Sequence, residues 1–320
     1  MKVLIADKFA PEGVAALREL GCDVTMDPSL KDDQLKAALG ETAPEILIVR
    51  STRVEADMLD ASPNLRLIIR AGSGYDTIAI DAAAQQDIRV CNCPGMNAVA
   101  VAELTIGLMI ALDRRIVDET LDLRQGVWNK KEYSKARGLK GRTLGLVGLG
   151  RIGYEVAKRA RAFDMNLIYS DVVDFPQREK ELGARKVSFE QLLKESDFVA
   201  LHVPGGADTK HLMGEPQLKT MKPTAFLLNC SRGGIVDEKA LAVAIREGVI
   251  AGAALDVYEI EPGATDTEFT DAVIKVPRVY GTHHIGASTD QAQSAVGEEA
   301  VRIVRVLLED GEFINCVNSR

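Results

Sequence analysis

The chain has 320 residues, 46% of them hydrophobic and 27% charged, which predicts a globular protein with room for two domains rather than a disordered or fibrous one. A net charge of −8 argues against nucleic acid or an anionic membrane as general partner and leaves small molecules, with a local basic pocket for an acid still open. Cys22, Cys91, Cys93, Cys230 and Cys316 are scattered without metal-ligand spacing, the opening MKVLIADKFAP is strand-like rather than a signal core, and no uncharged span reaches about 20 residues; the reading is reduced cysteine, no metal, no membrane and a cytoplasmic location.

Short apolar runs alternate with amphipathic ones from the start. Strands are predicted at residues 3–6, 23–26, 46–49 and 67–70, with helices at 11–20, 32–39 and 56–60 between them. Alternation of this kind builds a parallel sheet with helices on both faces, so the first hundred or so residues make a doubly wound domain. Residues 97–118 then form one long helical pattern rich in Ala, Val, Leu and Met, predicted to link two domains and to supply a dimer surface.

The stretch 141–171 follows. An apolar run at 143–147 suits a strand buried on both faces. It stops at Gly148, which with Gly150 and Gly153 spells G-x-G-x-x-G. The first glycine permits a tight turn, the second lets a pyrophosphate approach the backbone, and the third lets the next helix pack closely. That helix, with Ile152, Val156 and Ala160 on one face, offers a phosphate its unpaired amides and positive dipole end. A strand at 166–170 ends in Asp171, near the spacing at which an acid meets ribose hydroxyls; a carboxylate there repels a 2′-phosphate, so the cofactor reads as NAD rather than NADP.

Strands continue at 186–187, 198–203, 225–229, 253–257 and 278–280, and a helix at 290–308 with a tail at 312–317 returns to the first domain. The expected organisation is therefore a cofactor domain over 97–288, inserted into a substrate domain made of 1–96 and 289–320. Two connections imply a hinge, and ligands favour such clefts.

Arg232 in NCSRGGIVD, Glu261 in DVYEIEP and His284 in GTHHIGAST all follow apolar strands, where doubly wound sheets place ligands. An imidazole exchanges a proton near neutrality, and a neighbouring carboxylate favours its charged form; those are the roles read for His284 and Glu261. Arg232 can hold a substrate carboxylate with a two-pronged, always charged fork. Beside a nicotinamide these groups describe one reaction, hydride transfer between a 2-hydroxy acid and NAD.

RAGSGYD at 70–76, NAVAVAE at 97–103, GLGRIG, LHVP at 201–204, the arginine motif, the run 256–262 and HIGAST at 284–289 stand in the order of the D-isomer-specific 2-hydroxyacid dehydrogenase family, which the chain resembles over nearly its whole length. The resemblance implies an α/β fold of two doubly wound parallel-sheet domains, a Rossmann NAD domain inserted into a flavodoxin-like substrate domain. It carries the family's catalytic arginine, glutamate and histidine onto Arg232, Glu261 and His284, its acid near the nicotinamide onto Asp256, and its ribose acid onto Asp171. Arg151 and Ile152 join the three glycines at the pyrophosphate, and His202, Val203, Pro204, Thr209, Cys230, Ser231, His284 and Gly286 complete the expected cofactor contacts.

Within the family, VRS at 49–51 and RAGSGYD resemble the phosphoglycerate-oxidising subgroup, which implies oxidation of D-3-phosphoglycerate to 3-phosphohydroxypyruvate in serine biosynthesis. Arg50, Ser51, Ala71, Gly72, Ser73 and Gly74 would then contact substrate beside Arg232 and His284, with Arg53 either an aid to the phosphate or a solvated surface group. Glyoxylate, hydroxypyruvate or another D-2-hydroxy acid is the alternative substrate, an NAD-sensing binding protein the remote alternative, and a homodimer the expected assembly.

Three departures stand against the family pattern. His283 occupies the place of the usual proline before the catalytic histidine and is the alternative proton carrier; Gly205 and Gly206 replace Leu-Thr, which predicts a looser loop beside the pyrophosphate; Thr77 and Ala79 replace Asn and Asp. Cys230, with no base identified beside it, reads as a packed thiol rather than a nucleophile.

Overall fold

A computed structural model describes residues 1–262 and 268–318; residues 319–320, the end of the expected substrate domain, lie outside the described residues. The chain divides into two compact units, Met1–Asn97 with Ala287–Arg320, and Ala98–Gly286.

The first unit is built on five parallel strands, β1 (Lys2–Ile5), β2 (Asp23–Met26), β3 (Ile46–Val49), β4 (Leu67–Arg70) and β5 (Arg89–Asn92), in the order β2-β1-β3-β4-β5. The connections carry α1 (Pro11–Glu19), α2 (Asp32–Thr42), α3 (Ala56–Leu59) and α4 (Ile80–Gln85). Successive strand side chains point to opposite faces, and the core splits accordingly. Val3, Ile5, Ile46, Ile48, Leu67 and Ile69 pack under α1 and the closing helix, Asp290–Asp310; Leu4, Leu47, Val49, Ile68 and Val90 pack under α2, α3 and α4. The tail does come back to this sheet: Val317 N–H donates to Val90 O at 2.8 Å and Asn92 N–H to Asn315 O at 3.2 Å. Neither α4 nor β5 is among the predicted elements, because six and four residues carry too little of a period to read.

The predicted single helix over 97–118 is two helices, α5 (Ala98–Arg114) and α6 (Ile116–Arg124). Arg115 breaks them by taking a left-handed conformation, φ +56°, and its guanidinium is held by Asp118 at 3.0 Å and Glu132 at 2.7 Å. Glu132 lies in the short α7 (Lys130–Tyr133).

Seven parallel strands make the second unit's sheet: β6 (Thr143–Val147), β7 (Asn166–Ser170), β8 (Arg185–Lys186), β9 (Phe198–Leu201), β10 (Phe226–Asn229), β11 (Gly252–Leu255) and β12 (Val279–Gly281). Their order is β12-β11-β10-β9-β6-β7-β8. On one face lie α5 and α8 (Arg151–Ala162), on the other α10 (Phe189–Glu195), α11 (Glu215–Thr220) and α12 (Glu238–Arg246), while α9 (Pro176–Leu182) follows β7. Four-residue strands with every side chain buried, as in β9, β10 and β11, are what a parallel sheet covered on both faces requires. The order reverses between β6 and β9, and every strand points the same way, so the loops after them gather on one edge of the sheet.

Candidate active site

The crossing point between β6 and β9 is where the glycine motif lies. Gly148 has φ +96°, and a Cβ there would stand 2.7 Å from His202 O, the first residue past β9. Gly153 is tighter still, since its Cβ would meet Gly148 O at 2.1 Å. Gly150 is the opposite case: its Cβ would enter open space, directly ahead of α8, whose N-terminus has neither a side-chain cap nor an acid in its first turn. An open cradle in front of uncapped helix amides fits the pyrophosphate of a dinucleotide. Arg151 and Ile152 occupy the first turn behind it.

Asp171, the acid after β7, accepts Leu149 N–H at 2.8 Å on one carboxylate oxygen and Val173 N–H at 3.0 Å on the other. It therefore holds the glycine turn as well as standing at its rim. Arg178 donates to the carbonyl of the same Leu149 and stacks its guanidinium over Tyr154 and Phe175 at 5.0 and 4.7 Å. Sequence reasoning missed Arg178, which nothing in its neighbourhood marks. His202 has both ring nitrogens buried with no hydrogen-bond partner among the described residues, and burial pushes it down to about 4, so it is a neutral wall. The Gly205–Gly206 loop is closed by Thr209, whose hydroxyl donates to Pro204 O at 2.8 Å and whose N–H donates to Gly206 O at 3.2 Å. A Cβ on Gly205 would press on Arg232 Cγ at 3.0 Å, so the glycine that departs from the family pattern gives the arginine room. Burial pushes the Cys230 thiol up to about 12 against a hydrogen bond with Thr105, which keeps it a thiol.

Arg232, Glu261 and His284 follow β10, β11 and β12, three neighbours in the sheet. His284 Nδ1 lies 2.7 Å from Glu261 Oε2, and the side chains stay 47% and 34% exposed, so the pair is formed and reachable. It is His284, not His283, that meets the glutamate. Burial raises Glu261, but the His284 hydrogen bond and charge, the Tyr258 N–H and the Arg232 guanidinium outweigh it and hold the carboxyl below its ordinary value. An ionised Glu261 accepts from Nδ1–H, which leaves Nε2 of His284 as the nitrogen that can take a proton.

His284 is held in a left-handed conformation, φ +52°, which a residue with a Cβ adopts at some cost. Asp256 imposes it. Its backbone carbonyl accepts His284 N–H at 2.8 Å, and its carboxylate accepts Thr282 Oγ1 at 2.6 Å, Ile285 N–H at 2.9 Å and Gly286 N–H at 2.8 Å. Asp256 is 1% exposed, and in this arrangement its charge is spent on the histidine loop. The arginine loop is knit by Asn229, which donates to Arg232 O at 2.9 Å and accepts Ser231 N–H at 3.1 Å.

The residues expected at the substrate lie in the first unit, after β3 and β4. Asp7, 8% exposed, accepts the N–H groups of Arg50, Ser51 and Thr52 at 2.6, 3.0 and 3.0 Å and the Ser51 hydroxyl at 2.9 Å. Arg50 Nη2 donates to Ser288 Oγ at 3.2 Å. Ala71 is buried, and Gly72 has φ +152°, a backbone conformation that a residue with a side chain rarely adopts. Ser73 bonds Asn97 Oδ1 at 2.8 Å and receives Gly95 N–H at 3.1 Å, while Gly74 continues the loop. Arg53 is solvated and pairs with Glu55 at 3.7 Å, as a surface arginine does.

Residues 106–286 match the model of the family described as D-isomer specific 2-hydroxyacid dehydrogenase, NAD binding domain. A glyoxylate reductase of Thermococcus litoralis is 44% identical over 304 residues, covering 93% of this chain and 90% of that one. The chain belongs to the D-isomer-specific 2-hydroxyacid dehydrogenase family. Its second unit thus carries the family's NAD-binding domain. A D-3-phosphoglycerate dehydrogenase of Methanocaldococcus jannaschii is 39% identical over 320 residues, 99% of this chain, which spans only 59% of that relative's length. Among solved structures, the D-lactate dehydrogenase of Aquifex aeolicus complexed with NAD and lactic acid superposes with a TM-score of 0.84 at 29% identity, covering 100% of both chains.

Proposed function

We propose that the chain is an NAD-dependent dehydrogenase of a D-2-hydroxy acid, that His284, Glu261 and Arg232 carry the reaction, and that D-3-phosphoglycerate is the substrate, oxidised to 3-phosphohydroxypyruvate on the way to serine. The observation that carries the reaction type is the His284–Glu261 contact of 2.7 Å on loops after adjacent strands.

Bound NAD supplies the acceptor for the hydride that leaves C2 of the substrate. Arg232 grips the substrate carboxylate with its planar fork. His284 takes the hydroxyl proton at Nε2, and ionised Glu261 stabilises the imidazolium through Nδ1. In reverse, the same nitrogen gives its proton to the oxygen of a 2-oxo acid. Gly148, Gly150, Gly153, Arg151 and Ile152 hold the pyrophosphate, and Asp171 takes the ribose hydroxyls with the lone pairs that Leu149 and Val173 leave. His202, Val203, Pro204, Thr209, Cys230, Ser231 and Gly286 serve as the remaining cofactor contacts, with Asp256 acting through the Gly286 amide that it holds. Arg50, Ser51 and the 71–74 turn serve the substrate; in support, the N–H groups of Ser73 and Gly74 take no part in hydrogen bonds among the described residues.

VRS, RAGSGYD and the Methanocaldococcus relative support the phosphorylated substrate. The second reading, reduction of glyoxylate or hydroxypyruvate, is favoured by the Thermococcus relative, which matches over most of its length, and by the solvated position of Arg53. Following NADH at 340 nm over 3-phosphoglycerate, 3-phosphohydroxypyruvate, glyoxylate and hydroxypyruvate separates them. Turnover of the plain acids alone would remove the phosphorylated substrate, and NADH binding without turnover of any acid would leave a cofactor-sensing protein.

The partner is a second copy. Helix α6 buries none of its residues, and Ile116, Leu121, Leu123, Val127 and Trp128 expose apolar surface, Trp128 by 79%, around the region expected to form a dimer. Sedimentation equilibrium at the mass of one chain would remove that reading. Scattered free thiols support a reducing, cytoplasmic setting.

A further inference from the structure

We propose that Glu238 is a positioning residue for the proton-transfer pair, fixing the loop that carries Glu261 through the Glu259 amide that it holds. The proposal rests on the assignment of Glu261 and His284 made above.

Glu238 is the first residue of α12, a place where a glutamate is ordinarily solvated, yet it is 6% exposed. The Asp237 side chain caps the helix through Ala240 N–H at 3.0 Å, so Glu238 is not needed for that. Its Oε1 instead accepts Glu259 N–H at 2.7 Å, and its carboxyl faces Asp271, which itself accepts Val273 N–H at 2.9 Å. Two carboxyl groups facing each other in a buried place disfavour a second negative charge there. Burial first, and then Asp271, push Glu238 up to about 8.

The pinned amide belongs to the residue between Tyr258 and the loop's turn towards Glu261, and Tyr258 reaches all three functional loops. Its N–H donates to Glu261 Oε1 at 3.1 Å. Its carbonyl presses on Gly233, beside Arg232, where a Cβ would stand 1.7 Å away. Its hydroxyl donates towards Thr282 O at 3.1 Å, on the approach to His284, and towards Leu255 O at 3.2 Å. Holding Glu259 therefore sets the distance from Glu261 to the histidine. Sequence inspection gives Glu238 no such role, because Glu259 and Asp271 come from other loops.

The charged and titratable groups around Glu238 are Asp271 ahead of the Val273–Lys275 turn, Glu259, Glu261 and the Tyr258 hydroxyl in the 256–262 loop, and Asp237 on its own helix. His211 Nε2 lies 2.9 Å from Glu259 Oε1. Ionising Glu238 thus adds a negative charge to a cluster that is already acidic. The sign follows: a raised carboxyl keeps its proton in the folded protein and loses it on unfolding, so the stability it contributes is full below the ordinary 4.5 and is lost as pH rises to about 8.

The test compares wild type, Glu238→Gln and Glu238→Ala. Glutamine keeps an acceptor for Glu259 N–H and stays uncharged beside Asp271, without a titrating proton. Glu238→Gln is expected to keep kcat at pH 7 within about threefold of wild type and to lose the fall in kcat and in thermal midpoint that wild type shows on passing pH 8. Glu238→Ala is expected to lower kcat about tenfold to a hundredfold while NADH affinity, measured by fluorescence titration, is unchanged, because the glycine turn is untouched. Coincident pH profiles of wild type and Glu238→Gln, or equal kcat for the Gln and Ala variants, would overturn the proposal. Absence of turnover in wild type would retire the catalytic assignment instead, and the thermal midpoints of wild type and Glu238→Gln against pH would still decide whether buried Glu238 keeps its proton near neutrality.

Discussion

Asp7 in the first unit and Asp256 in the second are nearly the same device. Each is a buried aspartate just past a strand's carboxyl end, and each collects backbone N–H groups and one hydroxyl from the loop after a neighbouring strand. A carboxylate with several such donors holds a loop more firmly than neutral bonds do, at about 1.5–3 kcal/mol for each charged hydrogen bond. The loops differ in what they present. Asp7 fixes Arg50, a permanently charged group that a second residue, Ser288, orients. Asp256 fixes His284, left-handed and paired with a second acid, a group that can change its charge. The two loops thus rest on the same kind of support, and the side chain at the end of each loop sets what that loop can offer.

The largest effect that bears on this contrast is His284→Ala, expected to lower kcat by about a hundredfold or more with NADH affinity intact, since general acid–base catalysis is worth that much; activity equal to wild type would sink the histidine's role. Next comes the pair Asp256→Asn and Asp7→Asn. An amide in place of each carboxylate turns a donor towards N–H groups, and the first should cost kcat about tenfold to a hundredfold while the second raises KM for the acid about tenfold with kcat largely kept. If both variants lose the same parameter, the division of labour between the units is wrong. Asp171→Ala should narrow the preference for NAD over NADP by several-fold and lower stability by about 1–2 kcal/mol through the Leu149 and Val173 amides, read from cofactor efficiencies and urea unfolding. The smallest effect is a pH profile. Because Glu261 is held below its ordinary value of 4.5, the pair's contribution is present above that value and lost as pH falls beneath it, so kcat for reduction should stay level down to about pH 5. A decline beginning near neutrality would contradict that pairing.

Much of this was readable in one dimension. The alternation of strand and helix, the glycine turn with Asp171 beyond it, and the placement of Arg232, Glu261 and His284 after strands all follow from local pattern, because a strand's burial and a turn's need for missing Cβ atoms are set by adjacent residues. Local pattern also misleads. The apolar run over 97–118 has no mark of the left-handed Arg115 that splits it, and one of the acids that hold its guanidinium, Glu132, lies outside that run.

What the amino-acid order determined by itself is therefore the architecture and the chemical kinds of the functional groups. Tertiary structure alone decided which acid does what: Asp256 braces a loop, Glu261 pairs with His284 rather than His283 having that partner, Glu238 is buried against Glu259, and Arg178 clasps Leu149. The reason is that a carboxylate's work depends on the donors within about 3 Å of it, and in a parallel sheet those donors arrive from crossover loops far away in the chain.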